Sequence, residues 1–270
     1  MGKVGAMNSL DRRDTHPTLP IASELREAAW NHGFRKDTGV ADGWHYFRSD
    51  EGVPGEVGLS GGTCADGSPW FLAIEHAGVA VQLRAEFANA IVEPPPGRFR
   101  ACFAFAEQEV MRATLSRAFQ LARSLPDFPL AQFEDEVTGL GDTEVDRIVK
   151  QRVGQGYFRK ALMDYWGGKC PLTGIAEPAM LRASHIVPWA ECKTDAERLD
   201  VHNGLLLAAH WDAAFDAGLV SFSDDGRALV KPSLDAAVLA LLEIHSVPAL
   251  ALTSDHRIKL AWHRVRFGFA

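Results

Sequence analysis

Two short apolar segments followed by a helical pattern constrain the fold of this chain more than any other feature. Residues 181–186 form an apolar run that Pro188 closes, and residues 205–207 form a second one. Apolar runs of this length between turn signals are typical of buried strands. From residue 209 to residue 217 the apolar side chains recur at helical spacing, and Gly218 follows where a helix would end. The sequence therefore predicts a strand, a strand and a helix, in that order.

Polar residues lie at the junctions of these three segments. His185 is near the end of the first strand, Asn203 and Gly204 introduce the second, and Asp212 lies in the helix. An Asn-Gly pair suits a tight turn with positive φ, so we expect a turn there. A compact strand, strand and helix would bring His185 and Asp212 to one point.

A histidine and an aspartate at one point suit the hydrolysis of a phosphodiester bond. A neutral imidazole can take a proton from water near neutral pH. A carboxylate is a hard oxygen ligand for a divalent cation, which can stabilise the negative charge that builds on a phosphate and its leaving oxygen. The pair predicts His185 as the base and Asp212 as the metal ligand.

Three motifs in this region carry a resemblance to a known family. They read ASHIVPW at residues 183–189, NGLLL at residues 203–207 and HWDAAFDAGLVSF at residues 210–222. In this combination and order they resemble the HNH, or ββα-metal, endonucleases, in the restriction-endonuclease-like group. The resemblance runs from about residue 152 to residue 227 and includes a helical lead-in.

The resemblance implies a role for each motif residue. His185 would activate the water, and Asn203 would steady the loop and orient that histidine. Asp212 takes the third motif position, which binds the metal and where the family name promises a histidine. Ser184 takes the first metal position, which is often Asp or His in the wider family. The implied cofactor is a divalent ion, Mg²⁺ or Mn²⁺, and the implied reaction cuts DNA to leave a 5′-phosphate.

The expected fold class is α+β, with a C-terminal ββα-metal (HNH) nuclease domain, its helical lead-in and a strand-rich N-terminal domain. We expect residues 1–20 to form a flexible lead, residues 21–141 an N-terminal α+β domain, and residues 142–270 the nuclease domain. The N-terminal domain is a candidate DNA-recognition module. Its aromatic residues, such as Trp44, Tyr46 and Trp70, could read a base or simply form the core.

Two other functions remain open at this stage. A catalytically silent DNA-binding module would explain a serine at the first metal position, and an activity scan with several divalent ions would distinguish it from a nuclease. A non-specific nuclease effector or toxin acting on RNA or on any DNA is the second, and a comparison of substrates would reveal it. The resemblance favours a restriction enzyme that defends against foreign DNA.

Charge is divided unevenly along the chain. The net charge is −7, yet residues 143–270 hold 15 Lys and Arg against 15 Asp and Glu, so the first 142 residues carry the whole excess. Basic residues cluster around the motifs and could lie along a phosphate backbone, or could form ordinary solvated helix faces. The candidate nucleic-acid-binding residues are Arg182, Arg159, Lys160 and Lys169.

Composition excludes several other classes of protein. The 270 residues are 47% hydrophobic, which is enough for real cores, but no apolar run approaches the length of a membrane span. The N-terminal segment lacks the apolar stretch of a secretory signal, so we expect a cytoplasmic protein without a membrane partner. The four cysteines form no C-x-x-C pair, which argues against structural zinc. Cutting both strands of a duplex would favour a homodimer.

The remaining elements follow from periodicity and turn residues. We expect a helix from Ser23 to Asn31, a glycine-rich turn at residues 60–62, a helix that ends before Pro126 and an acidic connector at residues 127–141. Strands are predicted at residues 44–47, 69–74, 79–83 and 99–105. The helical lead-in is predicted as two helices interrupted at Gly154 and Gly156, the first capped by Asp142 or Thr143. Its inward residues would be Val145, Ile148 and Val149.

Overall fold

The computed structural model describes residues 14–62, 70–141 and 143–269. The chain forms two compact units, one ending at Arg123 and the other beginning at Ser124. The division lies N-terminal to the predicted boundary at residue 141. Most of the expected flexible lead, and Asp142 as a helix cap, lie outside the described residues. In the part of the chain that the structure describes, no helix is both long enough and apolar enough to cross a membrane.

Five antiparallel strands form the sheet of the N-terminal unit, and they lie side by side in chain order. They are β1 (Lys36–Ala41), β2 (Trp44–Arg48), β3 (Glu56–Gly61), β4 (Trp70–Ile74) and β5 (Ala101–Phe105). This confirms the strands predicted around β2, β4 and β5. The predicted turn at residues 60–62 is wrong, because Ser60 and Gly61 belong to β3 and pair with β4. Every residue of β3 is buried, so the strand lacks the alternation that pattern reasoning requires.

Helices α1 (Leu19–Asn31), α2 (Ala77–Glu86) and α3 (Gln108–Ser124) accompany this sheet. The strand predicted at residues 79–83 is wrong, since these residues belong to α2. The buried residues of α2 are Val79, Ala80 and Leu83, a helical spacing, while Val81 is 66% exposed. Trp44 is buried in a core cluster with Phe71, and Tyr46 packs against that cluster. Trp44 is therefore a core residue.

Two helix boundaries differ from the sequence predictions. Helix α1 begins at Leu19, with Pro20 in its first turn, where proline is well tolerated. The predicted start at Ser23 is therefore wrong, and the last two residues of the expected lead, Leu19 and Pro20, belong to this helix. The predicted connector at residues 127–141 is also wrong in part, because Asp127–Glu136 is a helix, α4. Its Phe133 is buried, which gives this acidic segment an apolar anchor.

The C-terminal unit contains one long helix, two hairpins and several shorter helices. After α4 come α5 (Glu144–Tyr165), β6 (Leu181–His185), α6 (Asp195–Leu199), β7 (Gly204–Ala208), α7 (Ala209–Asp216), β8 (Val220–Phe222), β9 (Ala228–Val230), α8 (Ala236–Leu241) and α9 (Ser254–Phe267). Strands β6 and β7 pair antiparallel, as do β8 and β9. The predicted order of strand, strand and helix is confirmed, while α9 was not predicted.

The lead-in is a single helix, so the predicted interruption at its two glycines is wrong. Thr143 caps α5 through a capping box with Asp146, as one of the two predicted caps required. The predicted inward residues at its start are also wrong. Val145, Ile148 and Val149 are 69%, 49% and 39% exposed, and the buried stripe of α5 begins only at Gly154.

Helix α9 carries two buried histidines that favour the neutral form. Burial, followed by the nearby His202, lowers the pKa of His256 to about 3. Burial lowers the pKa of His263 to about 4, and its ring stacks on Phe215 at a centroid distance of 4.0 Å. Both values lie below the 6.5 of an unperturbed imidazole, so the unfolded chain binds protons that the folded chain does not.

The C-terminal unit should therefore lose stability as the pH falls through the pKa that histidine has in the unfolded chain. Between about pH 7.5 and about pH 5.5 the loss should be on the order of 1 kcal/mol for each histidine. Hydrogen exchange in peptides covering α9, measured against denaturant at both pH values, reports this change. The variant His263→Gln should reduce the pH dependence, and an unchanged dependence in that variant would contradict the assignment.

Candidate active site

Strands β6 and β7 and helix α7 bring the three motifs together. In the hairpin His185 pairs with Gly204 and Ser184 pairs with Leu205. Helix α7 follows β7 without a loop and packs on both strands. The order ββα that the sequence predicts is thus the local fold, and it places His185 at the end of its strand.

Ser184 and Asp212 are in direct contact. The Ser184 hydroxyl donates a short hydrogen bond to Oδ1 of Asp212, across from strand β6 to helix α7. Ser184 is only 2% exposed, whereas Asp212 is partly open to solvent. The two candidate metal ligands therefore meet, and Asp212 keeps part of its surface open to solvent.

His185 is held by two aromatic rings and a carbonyl group. Its ring stacks on Phe158 of α5 at 3.7 Å and meets the ring of Trp189 edge-on at 5.8 Å. Its Nε2 lies 2.9 Å from the carbonyl oxygen of Arg198. A carbonyl oxygen only accepts hydrogen bonds, so Nε2 carries the proton and Nδ1 of the neutral ring keeps its lone pair.

Burial also favours the neutral form of His185. Desolvation lowers the pKa of this imidazole, and the hydrogen bond to the Arg198 carbonyl opposes that shift. A neutral ring with one fixed N–H and one free lone pair is the state that a general base needs.

His185 and Asp212 approach the site from different faces of the hairpin. Successive side chains of a strand point to opposite faces. Accordingly, Ser184 contacts α7 through Asp212, while His185 contacts α5 through Phe158. Ser184 and His185 are adjacent residues, with Cα atoms about 3.8 Å apart. The Ser184–Asp212 contact and the His185 ring therefore both lie at the end of strand β6.

Asn203 fixes the loop that follows His185. Its side-chain oxygen accepts from the backbone N–H of Val187 at 2.9 Å, and its Nδ2 donates to the carbonyl oxygens of Val187 at 3.1 Å and Glu197 at 3.3 Å. Asn203 is fully buried. The loop it ties down includes Arg198, whose carbonyl orients His185. The side chain of Asn203 therefore holds this loop in place.

Gly204 allows close packing and does not form the predicted turn. Its φ is −148° and its ψ is 153°, which is extended backbone, so the prediction of a positive-φ turn is wrong. A Cβ at this position would lie 2.4 Å from Cζ of Phe158 and 2.8 Å from Cδ1 of Leu162. Glycine is thus required for strand β7 to pack against α5.

Replacing Gly204 by alanine should push Phe158 away from its place beneath His185. Overpacking of this kind costs about 1–3 kcal/mol, which thermal or urea unfolding would detect. The matched control is Gly156→Ala on α5, where an added Cβ meets nothing within 4 Å. That substitution should instead raise stability slightly, because alanine favours helix. Equal stability of Gly204→Ala and wild type would contradict the packing described.

Comparison with known proteins agrees with this geometry. Residues 170–223 match the family model described as HNH endonuclease. Residues 170–223 belong to the HNH endonuclease family. The matched segment contains the whole ββα unit, with His185, Asn203 and Asp212. No curated protein matches the chain.

The oxygen donors of the HNH domain suit a hard divalent cation such as those HNH nucleases generally use. Asp212 supplies a carboxylate and Ser184 a hydroxyl. Four residues further along α7, burial and the charge of Asp212 raise the pKa of Asp216 to about 6. The charge of Asp212 is thus felt at Asp216, and a cation at Asp212 would offset that repulsion.

Protein side chains supply only part of a metal's coordination shell here. Among residues 14–62, 70–141 and 143–269, no group of three or more His, Cys, Asp and Glu side chains is placed to hold a metal ion. Magnesium commonly keeps several waters and binds through one or two carboxylates together with phosphate oxygens. The donor set fits that mode of binding.

Two of the four candidate nucleic-acid-binding residues make hydrogen bonds to the backbone of the protein, and the other two are exposed. Arg159 donates to the carbonyl oxygens of Leu181 and Pro178 at 2.9 and 2.8 Å, so it stabilises the segment of the chain that leads into β6. Arg182 donates to the carbonyl of Ala179 at 2.9 Å. Lys160 and Lys169 are exposed. Contact of these four residues with nucleic acid stays a prediction.

Sequence reasoning missed three residues that hold His185. Phe158 lies 27 positions earlier on another element, and Arg198 acts through its backbone carbonyl, which any residue type provides. Trp189 lies within the ASHIVPW motif and was the only one with a signal in the sequence.

Proposed function

We propose that this protein is a metal-dependent DNA endonuclease of the HNH type, and that it acts as a restriction enzyme against foreign DNA. One observation carries the proposal. Burial favours the neutral form of His185, its N–H is committed to the Arg198 carbonyl, and it directly follows Ser184, whose hydroxyl contacts Asp212. That combination supports water activation next to a cation site.

The residues of the chain divide the reaction between them. Nδ1 of His185 takes a proton from the attacking water, while the Arg198 carbonyl stabilises the imidazolium that forms by accepting from Nε2. Asp212, with Ser184, would hold the Mg²⁺ or Mn²⁺ ion. Such an ion, when bound, supplies stabilisation of the charge on the phosphate and the leaving oxygen. Asn203 holds in place the loop that positions the Arg198 carbonyl.

DNA as substrate is supported by the family match, and a role in defence by the likeness of the three motifs to the restriction-endonuclease-like group. In this proposal the N-terminal unit selects the DNA that is cut. Lys160 and Lys169, with Arg159 and Arg182, contact the phosphate backbone of the bound strand. Cutting of both strands with one active site per chain would favour two copies, so a homodimer is part of the proposal.

A catalytically silent DNA-binding module is the alternative that a specific observation favours. The first metal position holds a serine hydroxyl, which is a weaker ligand than a carboxylate, and that hydroxyl is already bonded to Asp212. Such a module would bind DNA and leave it intact with every divalent ion.

Digestion of a panel of substrates tests the proposal. The panel contains unmodified, methylated and hydroxymethylated DNA and a matched RNA, each incubated with Mg²⁺, Mn²⁺ or a chelator. We expect cleavage of DNA with a divalent ion, 5′-phosphate ends, cuts at a restricted set of sites, and no cleavage in the chelator. Cleavage of RNA or of every DNA sequence would indicate a non-specific effector. Binding without cleavage under all conditions would indicate the silent module.

A further inference from the structure

A notch in helix α5 receives the side chain of Trp189. Gly154 lies in the interior of this 22-residue helix, where glycine costs stability relative to alanine. A Cβ on Gly154 would lie 2.3 Å from Cη2 of Trp189 and 3.1 Å from its Cζ2. Side chains do not tolerate such distances, so any larger residue at position 154 must displace the indole. The glycine is therefore explained by the tryptophan that it accommodates.

Arg198 also contacts this indole. Its guanidinium carbon lies 5.6 Å from the centroid of the Trp189 ring, and its Nε donates to the Trp189 carbonyl at 3.3 Å. The guanidinium also donates to the Cys192 carbonyl at 2.8 Å and pairs with Asp195 at 2.7 Å. The side chain of Arg198 thus ties the loop together, and its own carbonyl oxygen is the one that accepts from His185.

The indole in turn borders the ring of His185. The two rings meet at 90°, and the opposite contact of His185 is the stack on Phe158, four residues along α5 from Gly154. Helix α5 therefore contacts the imidazole twice, once directly through Phe158 and once through Trp189. A shift of the indole therefore changes the packing against the imidazole.

We propose that Trp189, seated against Gly154 and held by Arg198, is a positioning residue that sets the ring plane of His185 and so the direction of its Nδ1 lone pair. This inference rests on the proposed function, in which His185 is the base. A misplacement of about 1 Å in such a group can lower a reaction rate by about 10²-fold. Trp189 would then affect the chemical step and leave DNA affinity unchanged.

Two alanine substitutions on the same helix separate this role from a general effect on α5. In Gly154→Ala the new Cβ displaces Trp189, and single-turnover cleavage of bound DNA should slow on the order of 10- to 100-fold. In Gly156→Ala the new Cβ meets nothing within 4 Å, so the rate should stay within about twofold. Helix propensity changes equally in both variants. Equal rates in the two variants would overturn the proposal.

A double substitution tests whether Gly154→Ala slows cleavage by displacing Trp189. Trp189→Phe shortens the ring that occupies the notch, so adding Gly154→Ala to it should cause no further loss of rate. The same loss in both backgrounds would place the defect elsewhere and overturn the role of Trp189. The dissociation constant for DNA should be unchanged throughout, and a loss of affinity that accounts for the slower cleavage would also overturn it.

The imidazole signals of His185 provide a readout that needs no activity. In a ¹H–¹⁵N spectrum of the metal-free protein, assigned by comparison with His185→Ala, His185 should show a single tautomer with the proton on Nε2. Gly154→Ala should mix the tautomers or shift both nitrogens, and Gly156→Ala should leave them unchanged. If the wild type cuts no substrate, the proposed function fails while this spectrum still decides the positioning role. Identical spectra in all three proteins would overturn it.

Discussion

Replacing His185 by alanine should lower the rate of DNA cleavage by about 10²–10⁴-fold, the range that a general base contributes. At the end of β6, His185 offers a neutral nitrogen, and its other nitrogen is already bonded to the Arg198 carbonyl. The measurement is single-turnover cleavage of plasmid DNA with saturating Mg²⁺ or Mn²⁺. DNA binding should change little, whereas the thermal unfolding midpoint should fall modestly, because the ring of His185 is half-buried and stacks on Phe158.

The control for this variant is His245→Ala. His245 is an exposed histidine of the same unit, so its loss changes composition in the same way without touching the ββα unit. Its cleavage rate should equal that of the wild type. Full activity of His185→Ala, or an equal loss in both variants, would remove His185 from the mechanism.

Replacing Asp212 by asparagine should lower the cleavage rate by about 10²-fold or more and raise the ion concentration needed for half-maximal activity. Asparagine keeps the shape of the side chain and an oxygen that can accept from Ser184, so the fold should be preserved. It removes the negative charge that would hold the cation. The measurement is the cleavage rate as a function of Mn²⁺ concentration.

Asp255→Asn is the matched control for charge. Asp255 is exposed in the first turn of α9, and its replacement removes the same single charge from the same unit. Its ion dependence should match that of the wild type. An unchanged ion dependence in Asp212→Asn, or the same change in Asp255→Asn, would show that Asp212 does not hold the ion.

The parts of the site that could be predicted from the sequence are those encoded by local pattern. The apolar runs of β6 and β7 and the helical spacing of α7 lie close together in the chain, so their order gave the ββα unit directly. The contact between Ser184 and Asp212 follows from that order. The family match over residues 170–223 confirms the recognition that those motifs suggested.

The parts that could not be predicted depend on contacts between distant residues. Gly204 was interpreted as a turn glycine, whereas its role is to make room for Phe158, which no local pattern reveals. Gly154 was interpreted as a helix break for the same reason, since the side chain that fills its notch comes from residue 189. The exposure of Val145 and Val149 likewise depends on where neighbouring elements end.

The strand predicted at residues 79–83 fails for a different reason. Val79, Val81 and Leu83 alternate with other residues, but Val79, Ala80 and Leu83 also fit one face of a helix. Both periods are present in a segment this short. His76, which caps the helix by accepting from the backbone of Val79, is not among the commonest capping residues, so the helical start was not recognised.

The central claim is that His185 and Asp212 act around one ion, although they approach it from different faces of the hairpin. The most direct measurement is the broadening of the His185 imidazole signals when Mn²⁺ is added in small amounts to the protein with bound DNA, with Mg²⁺ as the diamagnetic control. We expect the His185 signals to broaden first among the ten histidines of the chain, and Asp212→Asn to abolish the effect at the same Mn²⁺ concentration. Sharp His185 signals in the wild type, or equal broadening in Asp212→Asn, would contradict a shared site.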